Sequence, residues 1–203
     1  MLVHDIKDNL SAGIQLADIV ASDNALKESK DIYLLQQSLR NCIGIIDSLA
    51  AISGIKETKF DSMINLAYVI EDVVDSMNAK IILTTSCPHF ASGNYNIFKT
   101  VFQNLVSNSI KHSLKGKLLE ISVSTELGEN GVIVNYTDNG VGVPDDLIDT
   151  LFEDRVKGRK SPGMGLGLFI VKQALGILGG TIEATLSKKG AHFIIKMPNK
   201  PIK

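Results

Sequence analysis

The sequence predicts an α+β chain: an N-terminal helical hairpin followed by an α/β layer domain. Three observations predict it. Residues 1–50 contain no proline and repeat their apolar side chains at helical spacing. Beyond residue 64, helical stretches alternate with short runs of period-two apolar residues. Glycines then gather at turn positions, in Gly140 and Gly142, in Gly163, Gly165 and Gly167, and in Gly179-Gly180.

The helical part comes first. Ile32, Leu35, Leu39, Cys42, Ile46 and Leu49 form a heptad seam. Upstream, Ile6, Leu10, Ile14, Ala17 and Ala21 form a second stripe. A polar stretch, residues 22–31, separates them, which makes a hairpin the simplest object. One hairpin buries too little apolar surface to stand alone. Pairing two into a four-helix bundle covers both seams, so a homodimer is expected. Residues 53–62 read as a linker, polar and containing Gly54. The expected domains are therefore 1–54 and 55–203.

In the second domain, of about 140 residues, helices are expected at 66–77, 97–113 and 166–178. Strands are expected at 81–85, 120–125, 132–137, 181–186 and 192–197. Gly179-Gly180 ends the last helix.

Composition narrows the function. The 203 residues are 44% hydrophobic and 21% charged with a net charge of −1. Neither nucleic acid nor an anionic membrane is expected as the main partner, because both favour a basic surplus. The scarcity of aromatics and the absence of Trp argue against base-stacking platforms. Cys42 and Cys87 fit neither a disulfide framework nor a metal cluster, which suits a reducing, cytoplasmic setting. No apolar run is long enough to span a membrane, and the chain opens without a signal segment.

Three polar elements carry the chemistry. In the helix at 97–113, Asn104, Asn108 and Lys111 share a stripe beside the apolar face, with His112 adjoining. An Asn carbonyl oxygen suits magnesium, and a Lys one turn on can meet phosphate charge. The same spacing also suits a solvated helix face. The second element, Asp138-Asn139-Gly140-Val141-Gly142, follows a strand. An ionised Asp only accepts hydrogen bonds, so Asp138 can read the exocyclic amine of adenine. A plain turn fits this sequence too. The third element, Gly163-Met164-Gly165-Leu166-Gly167-Leu168, opens a helix, where bare backbone amides cradle phosphate. A dinucleotide fingerprint would need Gly at Leu168, and a P-loop would need Gly-Lys-Ser/Thr.

Taken in order, the set closely resembles the GHKL (Bergerat) ATP-binding α/β sandwich of sensor histidine kinases, type II topoisomerases, mismatch-repair ATPases and the ninety-kilodalton chaperones. The Asn helix resembles the N box, residues 138–142 the G1 box, and residues 163–168 the G2 box. Leu151-Phe152-Glu153 resembles the F box of histidine kinases. The resemblance implies that Asn108 binds Mg2+ and Asp138 binds adenine. Asn104, Lys111, His112, Gly140, Gly142, Gly163, Gly165, Leu166, Gly167 and Leu168 would line the ATP site. The segment between Phe152 and Gly163 would be the ATP lid, carrying Arg155, Lys157, Arg159 and Lys160. Val156 stands where a second F-box aromatic is frequent, and Ala191 where a Thr often stands. Hydrolysing members usually carry a general-base Glu one turn before the magnesium Asn. Here that position is Asn104, which takes no proton at neutral pH.

A nucleophile is available at the start of the chain. His4 begins a polar stripe with Asp8, Ser11, Gln15, Asp18 and Ser22, opposite the Ile6-Leu10 seam. A neutral imidazole nitrogen can attack phosphorus in line while Asp5 holds the proton of the other ring nitrogen. His4-Asp5-Ile6-Lys7 followed by a hairpin resembles the H box and dimerisation domain of histidine kinases. Asn9 replaces the frequent Pro, and Asp8 replaces the Thr or Asn of phosphatase-competent members. An acid there would repel hydroxide, so weak or absent phosphatase activity is expected. His89 and His192 read as structural or surface residues.

The expected protein is a histidine kinase core. It would phosphorylate His4 from Mg-ATP and pass the phosphoryl group to an Asp of a response regulator receiver domain. A sensor input module is expected outside this chain, since three residues precede His4. The alternatives are a GHKL ATPase that cycles conformation, and a phosphorelay scaffold without kinase activity.

Overall fold

The computed structural model describes residues 10, 11, 13–20, 39, 62–153, 167–187 and 189–199. By internal contacts the chain separates into two units, Met1–Gly54 and Ile55–Lys203.

In the first unit, residues 13–20 are helical, with Ala17 buried and Leu16 and Ile19 exposed. A Cβ placed on Gly13 would lie 3.6 Å from both methyl carbons of Leu39, so these two residues are neighbours. His4, Asp5, Asp8 and the rest of the expected hairpin lie outside the described residues, as does the lower part of the expected linker.

The second unit is an α/β sandwich. Strand β1 (Ser62–Asn65) runs into helix α1 (Leu66–Ser76), then β2 (Ile81–Ser86) and β3 (Phe90–Gly93). Helix α2 (Tyr95–Lys111) follows, then β4 (Leu119–Gly128), β5 (Gly131–Asp138), α3 (Gly167–Ile177), β6 (Thr181–Thr185) and β7 (His192–Pro198). A five-stranded sheet runs β2-β4-β5-β7-β6. The β2-β4 pair is parallel and the others are antiparallel. A separate two-stranded sheet pairs β1 with β3 antiparallel.

One face of the large sheet meets the helices because the strands alternate. Ile121 and Val123 of β4, Val134 and Tyr136 of β5, and Phe193 and Ile195 of β7 are buried in one cluster. The helices answer with Val69 and Ile70 of α1, Phe98, Phe102 and Leu105 of α2, and Val171 and Leu175 of α3. Each large side chain so buried contributes about 1.5–3 kcal/mol. Asp138, the last residue of β5, continues the inward set and so points a carboxylate toward α2.

Two expectations need correction. Ser62 starts a strand rather than closing a linker, and β3 is a strand where the sequence predicts no element. Both strands are four residues long, and β3, Phe-Ala-Ser-Gly, has too little alternation to register as a period. Helix α2 starts at Tyr95, two residues earlier than its apolar stripe indicates, because the Asn94 side chain accepts from Asn96 N (2.8 Å) and Ile97 N (3.4 Å). It ends at Lys111, with His112 as the C-cap.

This cap sits at the start of the helix that carries the polar stripe. Replacement Asn94→Ala should cost about 1 kcal/mol. Urea unfolding of the full chain followed by far-UV circular dichroism reads this as a lower midpoint; an unchanged midpoint would contradict the capping role.

Candidate functional site

The site is assembled where the ends of α2 and β5 meet the start of α3. Asn104 and Asn108 are half-buried on one side of α2. The Asn104 amide nitrogen donates to the Thr100 carbonyl at 2.8 Å, which fixes the orientation of its oxygen. A Cβ on Gly167, the first residue of α3, would lie 3.2 Å from Asn104 Oδ1 and 3.6 Å from both amide atoms of Asn108. The two asparagines therefore converge on the N-terminal end of α3. The first turn of a helix presents backbone N–H groups that lack intrahelical partners, together with positive partial charge. Leu168 is half-buried and packs its side chain against the core. Gly163, Gly165 and Leu166, and residues 154–162 of the expected lid, lie outside the described residues.

The second half of the site surrounds Asp138, which is 8% exposed. Its Oδ1 accepts from Gly140 N and Ala191 N, both at 2.9 Å. Its Oδ2 accepts from Ser109 Oγ at 2.6 Å. Ser109 Oγ also lies 2.9 Å from the Tyr136 hydroxyl. Donors from a helix, the turn after β5 and the turn before β7 thus fix one carboxylate.

The glycines are required here by close approach. Gly190 has φ +94°, and a Cβ on it would fall 1.9 Å from the Asp138 carbonyl oxygen. Gly142 has φ +79° and faces Gly190 O. A Cβ on Gly140 would lie 2.7 Å from the His112 carbonyl oxygen, which accepts from Val141 N at 3.0 Å. Asn139 pins the outer side of the turn, accepting from Glu120 N and donating to Leu118 O, both at 3.0 Å.

Lys111 and His112 close the C-terminal end of α2. Desolvation holds the Lys111 ammonium below the usual lysine value, although the residue reaches solvent. Burial lowers His112 below the ordinary histidine value, the Lys111 charge lowers it further, and Asp138 opposes both. Phe152 is buried and packs edge-on against Phe193, with ring centroids 6.1 Å apart.

Comparison with known proteins bears on this arrangement. The profile of the histidine kinase-, DNA gyrase B- and HSP90-like ATPases matches residues 93–201, more than half of the chain. The chain belongs to this family. The matched span of this ATPase-family chain begins just before α2 and ends after β7, so it takes in every element that frames the site. Hybrid signal transduction histidine kinase D of Dictyostelium discoideum is 27% identical over 98% of this chain and 14% of its own length. The phosphate regulon sensor protein PhoR of Haemophilus influenzae is 28% identical over 97% of this chain and 50% of its own. The chain thus spans half or less of these relatives. Among solved structures, full-length ShkA in complex with AMPPNP superposes with a TM-score of 0.68 at 18% identity, covering 99% of this chain and 45% of that one. The histidine kinase AdeS of Acinetobacter baumannii gives a TM-score of 0.63 at 19% identity, covering 96% and 97%. At these identities the structural likeness establishes the fold.

The structure thus brings Asn104 and Asn108 to Gly167, and Asp138 to Gly140, Gly142 and His112. Sequence reasoning missed Ser109, Tyr136 and Gly190. A serine in the apolar stripe of α2 and a tyrosine at an inward position of β5 are the signals that could have found the first two.

Because the folded chain favours neutral His112, the unfolded chain takes up that proton first as pH falls. The stability from this group is complete above the unfolded value, 6.5, and is lost as pH falls below it toward the lowered folded value. NMR titration should find the ring below 6.5, and His112→Asn should flatten stability against pH across that window. A ring titrating at or above the ordinary value would contradict the burial argument.

Proposed function

We propose that this chain is the catalytic core of a sensor histidine kinase. The observation that carries the reading is the pairing of an acceptor-only carboxylate, fixed at the end of β5, with two asparagines converging on the start of α3. An ionised Asp138 complements the exocyclic amine of adenine and repels the carbonyl that guanine presents at that edge. The amide N–H groups at the start of α3, extended by the glycines from Gly163, would receive the phosphates. Gly140, Gly142, Lys111 and His112 would line the path between base and phosphate.

The donor set fits a divalent cation. Neutral amide oxygens beside phosphate suit Mg2+, which keeps few protein ligands. Asn108 would hold it, and the ion would supply charge neutralisation across the β- and γ-phosphates.

His4, on the first unit, would be the phosphoacceptor. One imidazole nitrogen forms the N–P bond, the bond from phosphorus to the β,γ-bridging oxygen breaks, and ADP leaves. Asp5 holds the proton on the other ring nitrogen. Asn104 supports transfer to a protein group over hydrolysis. It stands where family hydrolases place a base, and its amide is committed to Thr100 O. A site without a base there has no means of activating water through that residue.

The histidine kinase names of the relatives support the rest of the reading. Residues 1–54 would dimerise and present His4, residues 55–203 would bind ATP, and the segment before β1 would be the hinge between them. The phosphoryl group would pass to the receiver domain of a response regulator, under control of a sensor input module. Among the described residues no helix is long and apolar enough to cross a membrane, and we place the reaction in the cytoplasm.

Incubation with γ-labelled ATP and Mg2+ tests the reading. The expected product is an acid-labile, alkali-stable phosphoprotein, absent in His4→Ala and in Asn108→Ala. Label retained in His4→Ala would overturn the acceptor assignment. Sustained phosphate release without a phosphoprotein would overturn the kinase in favour of a cycling ATPase.

A further inference from the structure

Beneath Asp138 lies a buried polar chain whose hydrogen directions can be deduced. An ionised carboxylate has no hydrogen to give, so in the 2.6 Å contact Ser109 Oγ donates to Asp138 Oδ2. A serine hydroxyl has one hydrogen. In the 2.9 Å contact the Tyr136 hydroxyl must therefore donate and Ser109 must accept. Burial pushes the Tyr136 hydroxyl far above its usual value, which keeps it protonated and able to donate. The chain of donation runs Tyr136 to Ser109 to Asp138.

Counting acceptor sites then distinguishes the two carboxylate oxygens. Each oxygen of an ionised carboxylate accepts about two hydrogen bonds. Oδ1 takes Gly140 N and Ala191 N and is full. Oδ2 takes Ser109 alone among the described residues and has one site left.

We propose that Ser109 and Tyr136 are positioning residues for nucleotide recognition, holding Asp138 so that Oδ2, and not Oδ1, receives the exocyclic amine of adenine. This rests on the ATP site proposed above and adds residues to it. The terminal torsion of an aspartate is broad. Three fixed donors reduce it to one setting, and Ser109 is the only one of the three that bonds the ligand-facing oxygen. Ser109 is 2% exposed and Tyr136 fully buried, so both act through Asp138 rather than on the ligand. Tyr136 in turn donates to a lone pair of Ser109, which favours the rotamer that directs the one Ser109 hydrogen to Asp138.

The test compares ATP with purine riboside triphosphate, which lacks only the exocyclic amine, by titration calorimetry on the full chain. The unaltered protein should prefer ATP by about tenfold, the worth of one hydrogen bond to a charged group. In Ser109→Ala this preference should fall to about threefold or less, while the affinity for purine riboside triphosphate stays within about twofold. A merely structural role would lower both affinities together.

The single variant leaves the Tyr136 hydroxyl buried without a partner and can fail to fold. The double variant Ser109→Ala/Tyr136→Phe removes both hydroxyls, leaves neither orphaned, and should show the same compressed preference. An intact amine preference in either variant would overturn this inference alone. No binding of either triphosphate to the unaltered chain would overturn it together with the ATP site.

Discussion

The structure turns on one buried charge. Asp138 places a carboxylate under the sheet, where an unsatisfied anion would cost far more than any single contact returns. It is tolerated because donors converge from α2, from the turn after β5 and from the turn before β7. Those segments are far apart in sequence, so satisfying the charge also fixes their relative positions. Gly190 and Gly140 follow from the same constraint. The backbones approach so closely around Asp138 and His112 that no Cβ fits at either position. The carboxylate proposed to read the ligand is thus also a clasp for the end of the sheet.

The second dependence is the convergence of Asn104 and Asn108 on Gly167. Helix α2 contributes to both halves of the site through neighbouring residues, Asn108 toward α3 and Ser109 toward β5. Successive helical positions point about a hundred degrees apart, so adjacent residues can serve two different groups. A single rigid helix therefore sets the distance between the end that would read the base and the end that would bind phosphate.

Most of the second unit was legible in the sequence because its signals are periodic. The alternation in β4, β5 and β7 and the apolar stripe of α2 each report burial directly, and their ends were placed within a few residues. The pair β1-β3 was not legible, because strands of four residues are too short to show a period. The residues proposed to face the ligand were readable as an ordered set of motifs. Ser109 and Tyr136 were not, since each looks like an ordinary member of an apolar stripe until the partner strand or helix is in place. Gly190 was invisible for a related reason: its need arises from the Asp138 carbonyl, more than fifty positions away in the chain.

The family assignment and the fold rest on the matched profile and the superposed structures, whereas the assignment of adenine to Asp138 rests on the carboxylate's chemistry. The direct measurement is the affinity of Asp138→Asn for ATP, with circular dichroism to confirm the fold. The account predicts that affinity falls by more than about tenfold, because the amide replaces one acceptor-only oxygen with a donor. A folded Asp138→Asn chain that binds ATP as tightly as the unaltered protein would contradict it.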